Sequence, residues 1–182
     1  STYPQQALTG AYNGTITGGP ADVMLARFDA NCALEWCAAI GGSGVDQGAD
    51  IVCHANGFYV SGITYSNDFP VIGGGAASNG GGDLVLLDFN SQADTVWSSH
   101  HGGSSMDRPG RNGLTRDGAN NLVVVGETQS NDMDTLSAGW FYNSTNTGTA
   151  GFIARYASGS HALTWSTYVS GSGATVLESA SH

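Results

Sequence analysis

Four aspartates occupy matched loop positions. Asp46 and Asp107 each follow a glycine pair and a serine, Gly41-Gly42-Ser43 and Gly102-Gly103-Ser104, while Asp68 and Asp132 each close a Ser-Asn-Asp triplet. Carboxylates of this kind supply the hard oxygen ligands that Ca²⁺ takes, which makes these four weak calcium candidates. The competing role is turn-capping, in which a short Asp or Asn side chain hydrogen-bonds nearby backbone. No compact Asp-x-Asp-x-Asp run is present. Turn-capping is therefore the favoured reading, and no cofactor is expected.

Other chemistry-bearing residues point away from catalysis. His54, His100 and His101 lack metal-ligand spacing, and adjacent residues of an extended strand face opposite sides. Gly42-Ser43-Gly44 and Gly171-Ser172-Gly173 do not form the Gly-x-Ser-x-Gly elbow of a serine hydrolase. The glycine-rich stretch Gly73 to Gly82 is not followed by Lys-Ser/Thr, and no predicted helix offers its N-terminus to a phosphate. No enzyme is expected. A glycoside-cleaving carboxylate pair would be decided by separation in space rather than by sequence. Trp36, Trp97 and Trp165 could stack on sugars, but their matched placement assigns them to packing first. Cys32, Cys37 and Cys53 are an odd number, so at most one internal bridge forms, and Cys32 with Cys37 is the pair closest in sequence. The alternative is three small apolar residues in a β core. Asn13-Gly14-Thr15 and Asn143-Ser144-Thr145 match the glycosylation sequon, which matters only in a glycosylating host.

Composition limits the partners. The 182 residues carry a formal net charge of −10 and only 11% charged side chains, against about 25% in a typical soluble protein. Such a surface repels phosphate backbones and anionic headgroups, so nucleic-acid partners are not expected. No apolar run approaches the roughly 20 residues of a membrane span, and the first residues lack the pattern of a signal peptide. Low charge with 28 glycines suits an extracellular β protein with many tight turns.

The elements that position these residues are repeated. Asp22-Val23-Met24-Leu25-Ala26-Arg27-Phe28-Asp29 returns as Asp83-Leu84-Val85-Leu86-Leu87-Asp88-Phe89-Asn90, and in worn form as Gly151-Phe152-Ile153-Ala154-Arg155-Tyr156-Ala157-Ser158. A tryptophan follows each block, at a spacing of roughly 60–70 residues. Each unit reads as four short strands. Asn56-Gly57 marks one hairpin and Asp117-Gly118-Ala119-Asn120 another. No window sustains helical periodicity, so essentially no helix is predicted.

Gly41-Gly42-Ser43-Gly44-Val45-Asp46, then Gly57 to Pro70, then an Asp-led apolar strand and Trp165-Ser166-Thr167-Tyr168, resemble the SBBP-type β-propeller repeat. The second copy departs by Met133-Asp134 where Phe69-Pro70 stand, and the third has Gly151 for the leading aspartate. The resemblance implies an all-β array of four-stranded antiparallel blades, often found in large, secreted bacterial surface proteins, with no shared catalytic centre. About three repeats are expected, approximately 1–49, 50–112 and 113–182. The segment from Leu8 to Ala11 reads as a second-type strand and Ala174 to Glu178 as a last strand. Three blades fall short of the ~4–8 of closed propellers, so the expected partners are other propeller repeats, self-copies or a partner chain. The leading expectation is a non-catalytic structural or adhesive module at the cell surface. A glycan-binding, lectin-like propeller is the alternative, and a polysaccharide-acting lyase or glycosidase the second.

Overall fold

The computed structural model describes residues 11–12, 19–139, 141–170 and 175–181. They form an all-β fold without a helix. The strands are β1 (Ala11–Tyr12), β2 (Val23–Phe28), β3 (Leu34–Ile40), β4 (Asp46–His54), β5 (Gly57–Thr64), β6 (Asp83–Asn90), β7 (Thr95–His101), β8 (Asp107–Arg116), β9 (Leu122–Thr128), β10 (Ala150–Tyr156) and β11 (Leu163–Val169). Three sheets result, with orders β1-β3-β2, β4-β5-β6-β7 and β11-β10-β9-β8. All pairings between named strands are antiparallel except β1 with β3. β4 begins at Asp46 and β8 at Asp107, so the sheets change at 41–45 and 102–106 rather than at the expected boundaries of 49 and 112.

The middle sheet is covered on both faces, and period-2 alternation shows how. Leu84 and Leu86 of β6 join Trp97, Phe152, Ala154 and Tyr156 in a core shared with the third sheet. Val85, Leu87 and Phe89 join Val23, Ile40 and Phe58 in a core shared with the first. Burial on both sides explains why β6 is apolar almost without interruption. The sheets follow one another in chain order, β4 lying against β2 and β8 against β4, β5 and β6. Among the described residues they close no ring.

Register aligns the sheets more finely than sequence does. Trp36, Trp97 and Trp165 stand opposite Arg27, Asp88 and Arg155 respectively. Thr64 pairs with Asp83 and Thr128 with Ala150. Ala150, and not Gly151, therefore stands where Asp83 stands, and the third block is displaced by one residue from the expected match. The extra residue lies in the β10–β11 connection, where Tyr156 pairs with Leu163, whereas Phe89 pairs with Thr95. A one-residue slip reverses which face each side chain occupies.

The turns correct one further expectation. His54 pairs with Gly57, so the β4–β5 loop is Ala55-Asn56, and Gly57 opens β5 without a positive φ. Its glycine serves close approach instead, since a Cβ there would run into the carbonyl oxygen of Phe89. The other hairpins use a left-handed residue late in the turn: Cys32, Ala93, Asn120 and His161 have φ of 62, 66, 64 and 55°. Asp29, Asn90 and Asp117 each cap their turn by accepting backbone N–H groups two and four residues on, the geometry of an Asx turn.

Both ends differ from the expected strands. Leu8 to Gly10 and Ala174 lie outside the described residues. Ala11–Tyr12 runs parallel to β3 rather than against β2, using backbone groups of a sheet edge. Thr175 to Glu178 form no strand. Four residues of β8, 110–113, oppose only the residue between Val124 and Gly126 of β9. This bulge turns Asn112 toward the tail, where it donates to the Glu178 carbonyl at 3.1 Å and accepts from Ala180 N–H at 2.8 Å.

Candidate functional site

The polar residues gather where one sheet hands over to the next. Asp46 is buried at the start of β4. Its Oδ2 accepts hydrogen bonds from Gly42 N–H at 2.7 Å and Ser66 Oγ at 2.9 Å, and its Oδ1 accepts from Thr64 Oγ1. Asp107 repeats the arrangement, its Oδ2 accepting from Gly103 N–H at 2.7 Å and Ser130 Oγ at 2.8 Å. Gly44 N–H and Ser105 N–H donate to the hydroxyls of Ser66 and Ser130. Backbone completes the junction: Asp46 N–H donates to Ala21 O and Asp107 N–H to Gly82 O, both at 2.8 Å. A third such bond, longer at 3.4 Å, runs from Thr175 N–H to Thr149 O.

Asp68 and Asp132 sit further out. Each accepts both the N–H and the hydroxyl of a serine, Ser43 at 2.7 and 2.9 Å and Ser104 at 2.9 and 3.2 Å. The backbone N–H bonds, then the hydroxyl bonds, hold both carboxyls below the usual range. Burial pushes Asp107 the other way, with the Asp83 charge adding to it. The four sequence-predicted aspartates are thus not gathered around one point. They fasten segments 18 to 28 residues away, or four residues back, and not only their own turn. Among the described residues no cluster of three or more His, Cys, Asp or Glu side chains has a metal-binding arrangement.

A second polar group was hidden in the sequence. Asp88 is bridged by two imidazoles, His54 Nε2 to Oδ1 at 2.9 Å and His161 Nε2 to Oδ2 at 2.8 Å. Asn56 N–H donates to His54 Nδ1, which places the ring proton on Nε2, facing Asp88. His161 lies flat on Trp97, ring centroids 4.5 Å apart and planes 10° apart. His54, Asp88 and His161 border a cleft of about 450 Å³ that Tyr59 and Arg116 also line. Burial, then the Asp88 charge, raises the Tyr59 pKa. Both Asp88 oxygens are committed to imidazoles, so the group ties the second sheet to the third. The only sequence signal was that Asp88 stands where Arg27 stands in the first block.

His100 and His101 point to opposite faces, as their adjacency predicts. His100 packs edge-on against Phe69, and His101 meets Phe152 and Tyr156. Cys32, Cys37 and Cys53 are all free. Only Cys37 is buried, so the core role fits Cys37 alone. The tryptophans are equivalent in register but not in burial. Trp97 is 3% exposed, whereas Trp36 and Trp165 are half-buried. Trp97 has the third sheet and His161 over it. Trp36 meets Phe58 at 5.8 Å, and Trp165 donates from Nε1 to the Phe141 carbonyl. The sequon at Asn13 and the Ser172 segment lie outside the described residues. No family model matches the chain, and no curated protein matches it.

Proposed function

We propose that the chain is a non-catalytic structural or adhesive β-propeller module of an extracellular or cell-surface protein, built from SBBP-type repeats as in secreted bacterial surface proteins. The observation that carries this reading is the use made of the loop carboxylates. Asp46, Asp68, Asp107 and Asp132 are all engaged by hydroxyls and N–H groups at the sheet junctions, where a catalytic carboxylate would face an open cleft. The recurrence of the same junction after β3 and after β7 is what a blade array requires. Met24, 71% exposed on the β2 face turned away from the middle sheet, fits a partner formed by a further blade, from the same protein, a copy of it or another chain.

A lectin-like reading has one specific support. Phe141 and Tyr142 are adjacent and exposed, at 60% and 41%, and exposed aromatic rings stack on sugars. A polysaccharide and glycan panel tests both readings. No turnover and no specific glycan hit is the expected result. Binding lost on Phe141→Ala would establish the lectin, and turnover lost on an Asp→Asn change would establish an enzyme. Either outcome would displace the structural reading.

A further inference from the structure

The first two sheet junctions each hold a second carboxylate beside the first. Asp83 and Asp107 are both 0% exposed. Asp83 Oδ2 accepts from Ser78 Oγ at 2.7 Å and Asn79 N–H at 2.8 Å, but Asp83 Oδ1 is buried without a hydrogen-bond partner, while Gly103, Ser130 and Thr128 hold the Asp107 carboxyl. The two side chains converge on Gly102, where a Cβ would lie 2.8 Å from Asp83 Oδ1 and 2.6 Å from Asp107 Oδ2. The preceding junction is built alike. A Cβ on Gly41 would strike Asp22 Oδ1 and Asp46 Oδ2, and Asp22 Oδ1 again is buried without a partner. None of the ion pairs among the described residues involves Asp22, Asp46, Asp83 or Asp107.

Two like charges sharing a buried site need a compensating charge. The third junction shows that they act together. Ala150 stands in register with Asp83, and Thr175 makes the junction bond that Asp46 and Asp107 make, so both carboxylates are replaced at once. Independent turn caps would be free to disappear singly. Main-chain oxygens lie near the first pair, where the carbonyls of Gly42 and Gly44 crowd Gly19 together with Asp22 Oδ1, and at the matching Gly80 the carbonyls of Gly103 and Ser104 do the same. The donors common to both junctions are oxygens, since His100 and His101 lie beside Asp83 but Ala39 and Ile40 hold the matching positions in β3, and the shared chemistry is that of a hard cation.

We propose that each pair, Asp22 with Asp46 and Asp83 with Asp107, is a Ca²⁺ site that clasps one sheet to the next. Main-chain carbonyl and water oxygens complete the coordination. The clasp stands independently of the structural reading above, because it concerns the junctions and not what the module binds.

Calorimetric titration of the full chain with CaCl₂, after chelator treatment, tests it. Two sites per chain are expected, falling to one in Asp83→Asn and to one in Asp22→Asn. At about a hundredfold excess over Kd the two sites together should raise the melting temperature by about 10–20 °C over that in EDTA. Asn keeps the shape of Asp, and Asp22, which is less buried, provides the reading if Asp83→Asn does not fold. No binding heat with an unchanged melting temperature would overturn the proposal, since the pairs would then be neutralised by a shared proton. A stoichiometry unaltered by either substitution would overturn it as well.

Discussion

Trp97→Ala lowers unfolding stability by about 3–5 kcal/mol, the cost of emptying a large aromatic from a closed core. The same change at Trp36 or Trp165 costs about half as much. Trp97 is 3% exposed and lies between the second and third sheets, beneath His161 and 5.9 Å from Tyr156. Its removal opens a cavity and also uncovers the ring of His161, which holds one side of Asp88. Trp36 and Trp165 are half-buried, so water fills much of the space they vacate and the cavity contribution shrinks. Urea unfolding of the three variants checks the ordering. Equal losses at all three positions would show that matched register, rather than the cover from the next sheet, sets their contribution.

Acidification from pH 6.5 toward 4 destabilises the protein through His101. Burial holds this imidazole at about 4, against 6.5 for a free side chain. Between those values the unfolded chain binds a proton that the folded chain does not, so stability rises with pH across the window. The contribution is fully present above pH 6.5 and is lost as pH falls to about 4, amounting to about 3 kcal/mol. Phe152 and Tyr156 flank the ring, Ser166 Oγ is 3.4 Å from its Nε2, and Asp83 and Asp134 line the small cavity beside it. The corresponding register positions in β3 and β11 hold Ile40 and Val169. His101→Val is therefore expected to fold and to flatten the pH dependence between 4 and 6.5, measured as melting temperature. An unchanged slope would mean that another group carries it.

The hairpin framework was legible because local chemistry dictates it. Short β-rich runs bounded by turn residues gave the strands of the middle sheet, and Asp29, Asn90 and Asp117 cap their turns as short polar side chains do. What misled was local chemistry that tertiary contact overrides. Asn56-Gly57 has the residues of a tight turn, yet Gly57 is needed where β5 passes close to Phe89. The displaced third block follows from one extra residue in a loop, which no composition pattern locates. The matched aspartates were visible as recurrent positions, but their pairing with Asp22 and Asp83 was not. Those lead the apolar blocks and come together with Asp46 and Asp107 only when one sheet packs on the next. His161 gave no signal at all. It lies far from His54 and Asp88 in the chain, and only the stacking of the third sheet on the second joins them.

The central structural feature is a single array in which each junction locks one sheet to its neighbour. Two amides report on it directly. Asp46 N–H and Asp107 N–H donate across the junctions, to Ala21 O and Gly82 O, outside any strand ladder. Native-state hydrogen exchange should find both amides protected to the level of Leu86 and Val124 in the buried ladders, because they open only with the whole array. Exchange of these two amides at loop rates, while β6 and β9 remain protected, would show sheets that open independently and would contradict a locked array.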